Sequence, residues 1–257
     1  LFPEVILIQV HKNYGVPGGR NIGAANAKGE VLVFIDNDAS LHHLALEEAV
    51  AVFQSDEKIA IAGFKILNAF TKKLDMSSWT YQKSRINDYE VRFDTYTFCG
   101  CAHAVLKNVF EEVGRYWDDF FWGSEEAELS LKVLRAGYRI IYEPKLIAYH
   151  RISEERRTAN AKGYFYGFRN KLWFTWRYYP FWSALKATFV KIGAYLIKGV
   201  QKRCLMAILM SIVAACSKFY LLFQFRDRLD KRAWMNYKRL SYKGPAWQVF
   251  RGLFHKS

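Results

Sequence analysis

The chain has few cysteines, no long hydrophobic run and no internal repeat. Its cysteines, Cys99, Cys101, Cys204 and Cys216, form no C-x-x-C pair and show no zinc-ligand spacing. This pattern indicates buried, reduced thiols rather than a disulfide framework. The longest stretch without a charge, Cys204–Ser217, has 14 residues, whereas a membrane-spanning helix needs about 20.

A secretory signal is also missing from the start of the sequence. The chain opens on Leu1, and no basic segment precedes an apolar run. Because a strand-like pattern begins as early as Val5, we expect the true N-terminus to be missing.

Acidic residues are scarce in the second part of the chain. Residues 1–150 hold 16 Lys and Arg against 20 Asp and Glu, a net charge of −4, whereas residues 151–257 hold 22 against 4, a net charge of +18. This imbalance indicates two regions with different tasks. The basic region should bind polyanions, of which anionic lipid and nucleic acid are the two obvious classes.

The first 150 residues alternate between strand-like and helix-like patterns, which is typical of a mostly parallel α/β sheet flanked by helices. The strand-like runs are Val5–Val10, Glu30–Ile35 and Ile59–Phe64, and the helix-like runs are Asn21–Lys28 and Leu41–Gln54. Ser40 is the expected cap of the latter helix.

Two further elements follow a polar excursion over residues 65–94. Glu125–Ala136 has an apolar stripe at helical spacing and is followed by Gly137, which predicts a helix end. Arg139–Tyr142 has strand character, and Pro144 is expected to stop that strand. His150 then falls at a loop or a strand end.

The character of the sequence changes after His150. Residues 183–225 are apolar and helix-prone, with lysines at intervals. Cys204–Phe225 would be long enough to span a membrane, but Lys218 interrupts it. In-plane amphipathic helices therefore fit better, and a basic helical bundle packed on the first region is the alternative.

Two carboxylates follow the predicted strand Glu30–Ile35. Ligands of open α/β sheets bind at the carboxyl ends of strands, and Asp36 and Asp38 could there share Mg²⁺ or Mn²⁺ with a diphosphate. A plain turn with Asp and Asn is the alternative explanation.

A second acidic group stands at the start of the predicted helix Glu125–Ala136. Glu125 and Glu128 are explained by the helix dipole, but Glu126 precedes Leu129 by one turn and is expected to face inward. A desolvated carboxylate can act as a general base, and Trp122 offers an apolar face for a sugar ring. His150 is either a metal ligand or a histidine that is merely hydrogen bonded.

The order of these motifs is informative. The first group is Gly19-Arg20-Asn21-Ile22-Gly23, Ala27-Lys28-Gly29-Glu30 and Phe34-Ile35-Asp36-Asn37-Asp38. The second group is Phe120-Phe121, Glu125-Glu126-Ala127-Glu128-Leu129-Ser130-Leu131-Lys132 and Arg135-Ala136-Gly137-Tyr138-Arg139, followed by Tyr142-Glu143-Pro144, His150 and Arg169-Asn170. Together they resemble family 2 glycosyltransferases of the GT-A fold, and rhamnosyltransferase-like and galactofuranosyltransferase-like members in particular.

The resemblance implies a role for each matching residue. Asp36 and Asp38 would bind the nucleotide sugar and a divalent metal, Glu126 would be the general base, and His150 would be a further metal ligand. The chain departs from the family pattern in having Asn37 between the two aspartates and Glu rather than Asp at the base. The first strand and helix of the family, which hold the nucleobase, are expected to be missing.

The sequence therefore predicts an inverting, Mn²⁺- or Mg²⁺-assisted glycosyltransferase of the kind that builds cell walls or polysaccharides. Residues 1–150 would form a GT-A, Rossmann-like catalytic domain, and residues 151–257 a helical region on the cytoplasmic face of an anionic membrane. Arg20, either a donor-phosphate contact or a solvated loop arginine, and Asn21 are assigned to the donor, and Trp122 and Glu125 to a glycan or lipid-linked acceptor. A non-catalytic membrane-bound relative and a nucleic-acid-binding protein are the alternatives, of which the second is disfavoured because no nucleic-acid-binding motif occurs.

Overall fold

The computed structural model describes residues 3–151, 161–220 and 227–229, together with residues 235 and 237. Within these ranges a six-stranded sheet is flanked by helices and followed by three long helices. The strands are β1 (Val31–Ile35), β2 (Ala39–Leu41), β3 (Ile59–Asn68), β4 (Phe93–Thr95), β5 (Ala102–Leu106) and β6 (Arg139–His150). The helices are α1 (Gly15–Asn26), α2 (Ala45–Ser55), α3 (Lys107–Glu112), α4 (Glu125–Arg135), α5 (Ala161–Tyr178), α6 (Phe181–Gln201) and α7 (Leu205–Ser217).

The sheet is mixed rather than mostly parallel. Its order is β1-β5-β3-β6-β2, and β4 pairs with β6. Among the described strands β3 and β6 are parallel, and the other four pairings are antiparallel. The α/β class predicted from the sequence is confirmed, but the parallel arrangement is wrong because β5 returns between β1 and β3 in the opposite direction.

The predicted strand Val5–Val10 is not formed. These residues are exposed and pair with no strand in the described part of the molecule. The apolar composition was the reason for the prediction, but a strand also needs a neighbour that accepts its hydrogen bonds. Ile6 and Leu7 are accordingly 71% and 79% exposed.

The first two helices begin at other residues than the sequence suggested. α1 starts at Gly15 rather than Asn21, with Pro17 in its first turn, where the missing N–H of proline costs nothing. Ser40 is not a helix cap, because it pairs with Tyr149 in the ladder between β2 and β6. α2 therefore begins later, at Ala45.

Pro144 does not end β6, which continues to His150. The register between β3 and β6 shifts between Phe64 and Lys65, opposite the residues around Pro144. A proline lacks the N–H that a regular ladder requires, so it is tolerated at such an irregularity. β6 therefore ends at His150, which pairs with Ala39 of β2 on one side and with Asn68 of β3 on the other.

The helices after residue 160 pack on the sheet domain through a shared apolar core. Phe120 and Leu131 belong to the same buried cluster as Phe168, Trp173 and Tyr178 of α5 and Ile208 of α7. The boundary predicted at residue 150 coincides with the end of β6, while residues 152–160 and most of 221–257 lie outside the described part. Within that described part, no helix combines the length and the apolarity needed to cross a bilayer.

Asn170 joins α5 to the segment that precedes α4 through hydrogen bonds. It is fully buried, and its Nδ2 donates toward the carbonyl oxygens of Phe120 (2.9 Å), Trp122 (3.0 Å) and Gly123 (2.6 Å). Arg169 also donates, from Nη2, to the carbonyl of Phe120 at 2.9 Å.

We expect Asn170→Ala to lower the free energy of unfolding by about 1–3 kcal/mol, because the carbonyl oxygens of Trp122 and Gly123 lose their side-chain donor, while that of Phe120 keeps Arg169. Denaturation in urea measures the change. Asn26→Ala is the matched control, since exposed Asn26 makes a single local bond to the Ile22 carbonyl, and it should shift stability by less than about 0.5 kcal/mol. Equal effects of the two substitutions would contradict this role of Asn170.

Candidate active site

Arg20 lies at the centre of a group of carboxylates from separate elements. Its Nη2 donates to Asp36 Oδ1 at 3.0 Å and to the Gly100 carbonyl at 2.7 Å, and its Nη1 donates to Glu126 Oε1 at 3.3 Å. Glu125 Oε1 lies 4.0 Å from the same Nη1. Burial alone would lower the pKa of Arg20, but Tyr116 and the surrounding carboxylates raise it above its ordinary value. The guanidinium is therefore a permanent cation.

This environment decides between the two interpretations of Arg20. Its side chain is 11% exposed and projects from a helix, so the solvated loop arginine is wrong. Its donors already face three carboxylates and a carbonyl, and contact with a donor phosphate stays a prediction.

Asp36 and Asp38 follow β1 as the sequence predicts, but they face different partners. Asp36 is bound to Arg20, whereas Asp38 Oδ1 lies 3.5 Å from Nε2 of His150. Partial burial raises the pKa of Asp36, although Arg20 acts in the opposite direction. Each carboxylate keeps about two fifths of its side-chain surface exposed, 40% for Asp36 and 39% for Asp38, and is therefore accessible to a ligand.

Glu126 stands at the start of α4 and lies directly against the backbone of Gly100. A Cβ at position 100 would overlap with Glu126 Oε1 and would come within 3.1 Å of Arg20 Nη2. A side chain at position 100 would therefore displace the Glu126 carboxylate from its place beside Arg20. The Glu126 side chain remains 23% exposed, so its carboxylate is held in place and still reaches solvent.

The other two glutamates at the start of α4 are more deeply buried than the sequence suggested. Glu125 is 2% exposed and Glu128 is fully buried, so neither merely faces solvent near the helix dipole. Glu128 accepts a hydrogen bond from Tyr178 (2.5 Å) and pairs with Lys132 (3.0 Å), which joins α4 to α5. Glu125 Oε2 finds no hydrogen-bond partner in the described part of the chain, and its assignment to an acceptor stays a prediction that its burial does not favour.

His150 is held between two aspartates. Its Nδ1 lies 3.1 Å from Asp75 Oδ2 and 3.2 Å from Ser78 Oγ, while its Nε2 faces Asp38. Burial alone would raise the pKa of Asp75, but hydrogen bonds from Ser77, Ser78 and His150 outweigh it and lower that pKa. Asp75 is therefore an ionised carboxylate in the interior.

The two remaining predicted site residues are Asn21, which is on α1, and Trp122, which precedes α4. Both ends of the Asn21 amide bind the backbone of Tyr116, and its Nδ2 also donates to Asp118, so a donor role for Asn21 stays a prediction. Trp122 is 41% exposed and borders a cavity of about 410 Å³. The cavity is lined by Asn13, Gly15, Val16, Phe121, Trp122 and Lys162.

The metal prediction can be tested against these positions. In the described residues no three or more His, Cys, Asp or Glu side chains are arranged to hold a metal ion. Asp38 and His150, however, present an oxygen and a nitrogen 3.5 Å apart, a separation that two ligands of one ion with bonds of about 2.0–2.6 Å adopt. These two residues fit a divalent cation whose other ligands come from outside the chain, while Asp36 is engaged by Arg20.

Several residues of the site could not be found from the sequence. Asp75 and Ser78 lie in the polar excursion that no pattern singled out, and Gly100 belongs to none of the motifs that indicated the site. Their roles depend on contacts with residues 75 and 26 positions away in the chain. The one signal for Asp75 was an aspartate and two serines within four residues, which is also ordinary turn composition.

Comparison with known families supports the resemblance found in the sequence. The profile described as "Glycosyl transferase family 2" matches residues 1–114. The resemblance to family 2 glycosyltransferases is thereby confirmed over these residues. The finer rhamnosyltransferase-like or galactofuranosyltransferase-like assignment stays a prediction.

Curated relatives are distant and much longer than this chain. "Probable glycosyltransferase YdaM" of Bacillus subtilis (strain 168) is 27% identical over 161 residues, which cover 58% of this chain and 38% of that protein. "Inactive polypeptide N-acetylgalactosaminyltransferase-like protein 5" of Macaca fascicularis is 24% identical over 177 residues, covering 62% and 40%. The chain thus spans about two fifths of the length of these relatives.

The solved structures that match this chain are distant as well. GalNAc-T7 with UDP, GalNAc and Mn²⁺ aligns with a TM-score of 0.47 and 18% identity over 63% of this chain and 35% of that one. The mannosyltransferase PcManGT from Pyrobaculum calidifontis, in complex with GDP-Man and Mn²⁺, aligns with a TM-score of 0.46 and 15% identity over 96% and 61%. At these TM-scores the likeness carries no conclusion about function.

Glu125 provides a prediction about stability. Burial, and then the charge of Glu126, raise the pKa of Glu125 from 4.5 to about 8. Between these values the unfolded chain has released a proton that the folded protein keeps, so raising the pH lowers the free energy of unfolding. Glu125→Gln cannot ionise, and we expect it to become more stable than the wild type as the pH rises from about 5 to about 8.

Urea denaturation at several pH values measures this difference. Glu47→Gln is the control, because Glu47 is an exposed carboxylate in the first turn of α2, and its profile should follow that of the wild type. A stability difference between Glu125→Gln and wild type that does not change with pH would contradict the burial argument.

Proposed function

We propose that the chain is the catalytic part of an inverting glycosyltransferase, which moves a sugar from a nucleotide-sugar donor to a hydroxyl of a glycan or lipid-linked acceptor. One observation carries the proposal. Asp36, at the end of β1, and Glu126, at the start of α4, bind the same guanidinium of Arg20. Asp36, which is expected to bind the sugar donor, and Glu126, which is expected to be the base, thus lie against one and the same side chain.

Glu126 is suited to remove a proton from the acceptor. Its carboxylate is fixed by Arg20 and Gly100 yet partly exposed, and a base must lie within hydrogen-bonding reach of the hydroxyl. The deprotonated oxygen attacks the anomeric carbon on the face opposite the leaving nucleoside diphosphate, so the configuration inverts. Trp122, beside the cavity next to α1, offers an apolar surface for the acceptor sugar.

Asp38 and His150 are the residues that would hold a divalent cation, Mn²⁺ or Mg²⁺. Such an ion would supply positive charge to the diphosphate of the donor when bound. Oxygen ligands suit both ions, and the imidazole favours Mn²⁺. The remaining positions around the ion would be filled by diphosphate oxygens and water, since Asp36 is engaged by Arg20.

We expect Glu126→Gln to lower the rate of sugar transfer by about 10²–10⁴-fold, the usual contribution of a general base. The assay follows release of the nucleoside diphosphate from a panel of UDP- and GDP-sugars with Mn²⁺ present. Binding of the nucleotide, measured by calorimetry, should remain unchanged, because Glu126 is assigned to the acceptor hydroxyl. Glu47→Gln, far from the site on α2, should keep the full rate.

Two results would overturn this assignment. Full activity of Glu126→Gln together with loss of activity in Glu125→Gln would move the base to the neighbouring carboxylate. Nucleotide-sugar binding without turnover of any donor would favour a non-catalytic relative, a class that exists among the similar proteins by the name of one of them.

We further propose that α6 and α7 rest on the cytoplasmic face of an anionic membrane. α7 has two apolar faces. Ile208, Ser211 and Ala215 are buried against the core, whereas Met206, Met210 and Val213 are 68%, 58% and 71% exposed. Trp182 and Phe189 of α6 are also largely exposed, at 77% and 69%.

Charge supports the same surface as a membrane contact. Residues 151–257 carry a net charge of +18, and each basic residue near an anionic bilayer contributes about 1 kcal/mol. Apolar side chains beside lysines suit an in-plane helix, whose lysines reach the headgroups. A bundle whose outer apolar side chains are covered by other parts of the protein is the alternative.

Flotation with vesicles of phosphatidylcholine and phosphatidylserine tests this proposal. We expect the protein to float with these vesicles and to be released at high salt. Val213→Glu should reduce flotation because it places a negative charge on the exposed stripe of α7. Val50→Glu is the matched control, since Val50 is 47% exposed on α2 of the sheet domain, and should leave flotation unchanged.

Other outcomes would contradict the in-plane arrangement. Release by detergent alone, whatever the salt concentration, would indicate deeper insertion into the bilayer. Failure to float would leave the packed bundle, and retention on heparin without flotation would favour a nucleic-acid-like polyanion.

A further inference from the structure

Asp75 is a buried carboxylate that none of the roles described so far explains. Its side chain is 0% exposed, and it comes from the loop that follows β3. Its Oδ1 accepts hydrogen bonds from the backbone N–H (3.0 Å) and the hydroxyl (2.6 Å) of Ser77. Its Oδ2 accepts from Ser78 Oγ at 2.8 Å and lies 3.1 Å from His150 Nδ1. A charge is costly to bury unless it is fully bonded, and this one is bonded on both oxygens.

The loop is built so that it brings Asp75 to His150. The end of β3 pairs with the end of β6 at Asn68 and His150. The chain then turns back, with a bridge between Leu67 and Leu74 and a hydrogen bond from the Asp75 N–H to the Ile66 carbonyl. The carboxylate therefore meets the imidazole where both strands end.

The hydrogen bonds around His150 determine which ring nitrogen carries the hydrogen. Ser78 has a single hydroxyl hydrogen, which it donates to Asp75 Oδ2, so its oxygen can only accept from Nδ1 of His150. A bare Nδ1 lone pair at 3.1 Å from an ionised carboxylate would be repelled. Nδ1 therefore carries the hydrogen, and in the neutral ring the lone pair is on Nε2, the atom that faces Asp38.

We propose that Asp75 is a positioning residue for metal binding by His150, which it holds in the tautomer and orientation that present Nε2 beside Asp38. The inference rests on the proposed metal site. A carboxylate that accepts the second N–H of a metal-binding histidine fixes the ring and increases its basicity, and its loss typically lowers metal affinity about 10–100-fold. Asp75 does not touch the ion or the substrate.

Two measurements test this role without an activity assay. Titration of the protein with Mn²⁺, followed by electron paramagnetic resonance in the absence of donor, gives the affinity for the metal. We expect Asp75→Asn to bind Mn²⁺ about 10–100-fold more weakly. Ser77→Ala is the matched control, because Ser77 binds the other oxygen of Asp75 and does not contact His150, and it should bind Mn²⁺ nearly as tightly as the wild type.

The second measurement is nitrogen NMR of the histidine rings in the metal-free protein. The His150 signals should report hydrogen on Nδ1 in the wild type and a mixture of the two tautomers in Asp75→Asn. If Asp75→Asn does not fold, Ser78→Ala removes the hydroxyl shared by Asp75 and His150 and should change affinity in the same direction. Both expected shifts would support the proposal.

The outcomes separate failure of this inference from failure of the proposed function. If His150→Ala abolishes Mn²⁺ binding while folded Asp75→Asn keeps it, the metal site stands and Asp75 is structural only. If neither His150→Ala nor Asp38→Asn affects Mn²⁺ binding, the metal site itself is wrong. A wild-type ring with its hydrogen on Nε2 would overturn the inference whatever the metal result.

Discussion

The arrangement of the site depends on one buried cation. Arg20 projects from α1 into a space where Asp36, Glu125 and Glu126 converge from two other elements. Without the guanidinium the carboxylates of Asp36 and Glu126 would lie in a poorly solvated region with no compensating charge, and an uncompensated buried charge is strongly destabilising. The cation also binds the carbonyl of Gly100, so that four parts of the chain meet at one side chain. The same contact that makes the acidic group tolerable sets the distance between its members.

The acidic residues around the cleft divide into a group facing Arg20 and a group facing His150. Asp36 and Glu126 belong to the first, and Asp38 and Asp75 to the second. Asp36 and Asp38, which are two positions apart in the chain, thus lie in different electrostatic environments. In the first group a fixed positive charge holds the carboxylates, and in the second a histidine ring connects two of them. This division explains why a motif of two aspartates spaced by one residue can perform two tasks.

The sequence predicted the sheet domain well where local pattern and tertiary structure coincide. β1 and β3 were recognised as apolar runs and α4 from its apolar stripe, and the acidic residues after β1 and at the start of α4 are those that meet at Arg20. The order and direction of the strands were not predictable in this way, because β5 is inserted by a long excursion whose residues carry no periodic signal. Burial of Glu125 and Glu128 was also missed, since a glutamate in the first turn of a helix is normally explained by the helix dipole. Long-range packing by α5, not local sequence, removes them from solvent.

The attachment of α5 to α4 would affect the choice of acceptor in the proposed reaction. Tyr178 binds Glu128, and Asn170 binds the carbonyl groups just ahead of the helix that carries Glu126. These contacts hold the start of α4, and with it Glu126, against α5. In the membrane arrangement proposed above, Glu126 would therefore stand at a set distance from the bilayer. Such a set distance would select acceptors by their length. An acceptor hydroxyl would react only when the linker between lipid and sugar places it at the distance of Glu126 from the bilayer. The length of the acceptor, as well as its chemistry, would then decide whether it is glycosylated.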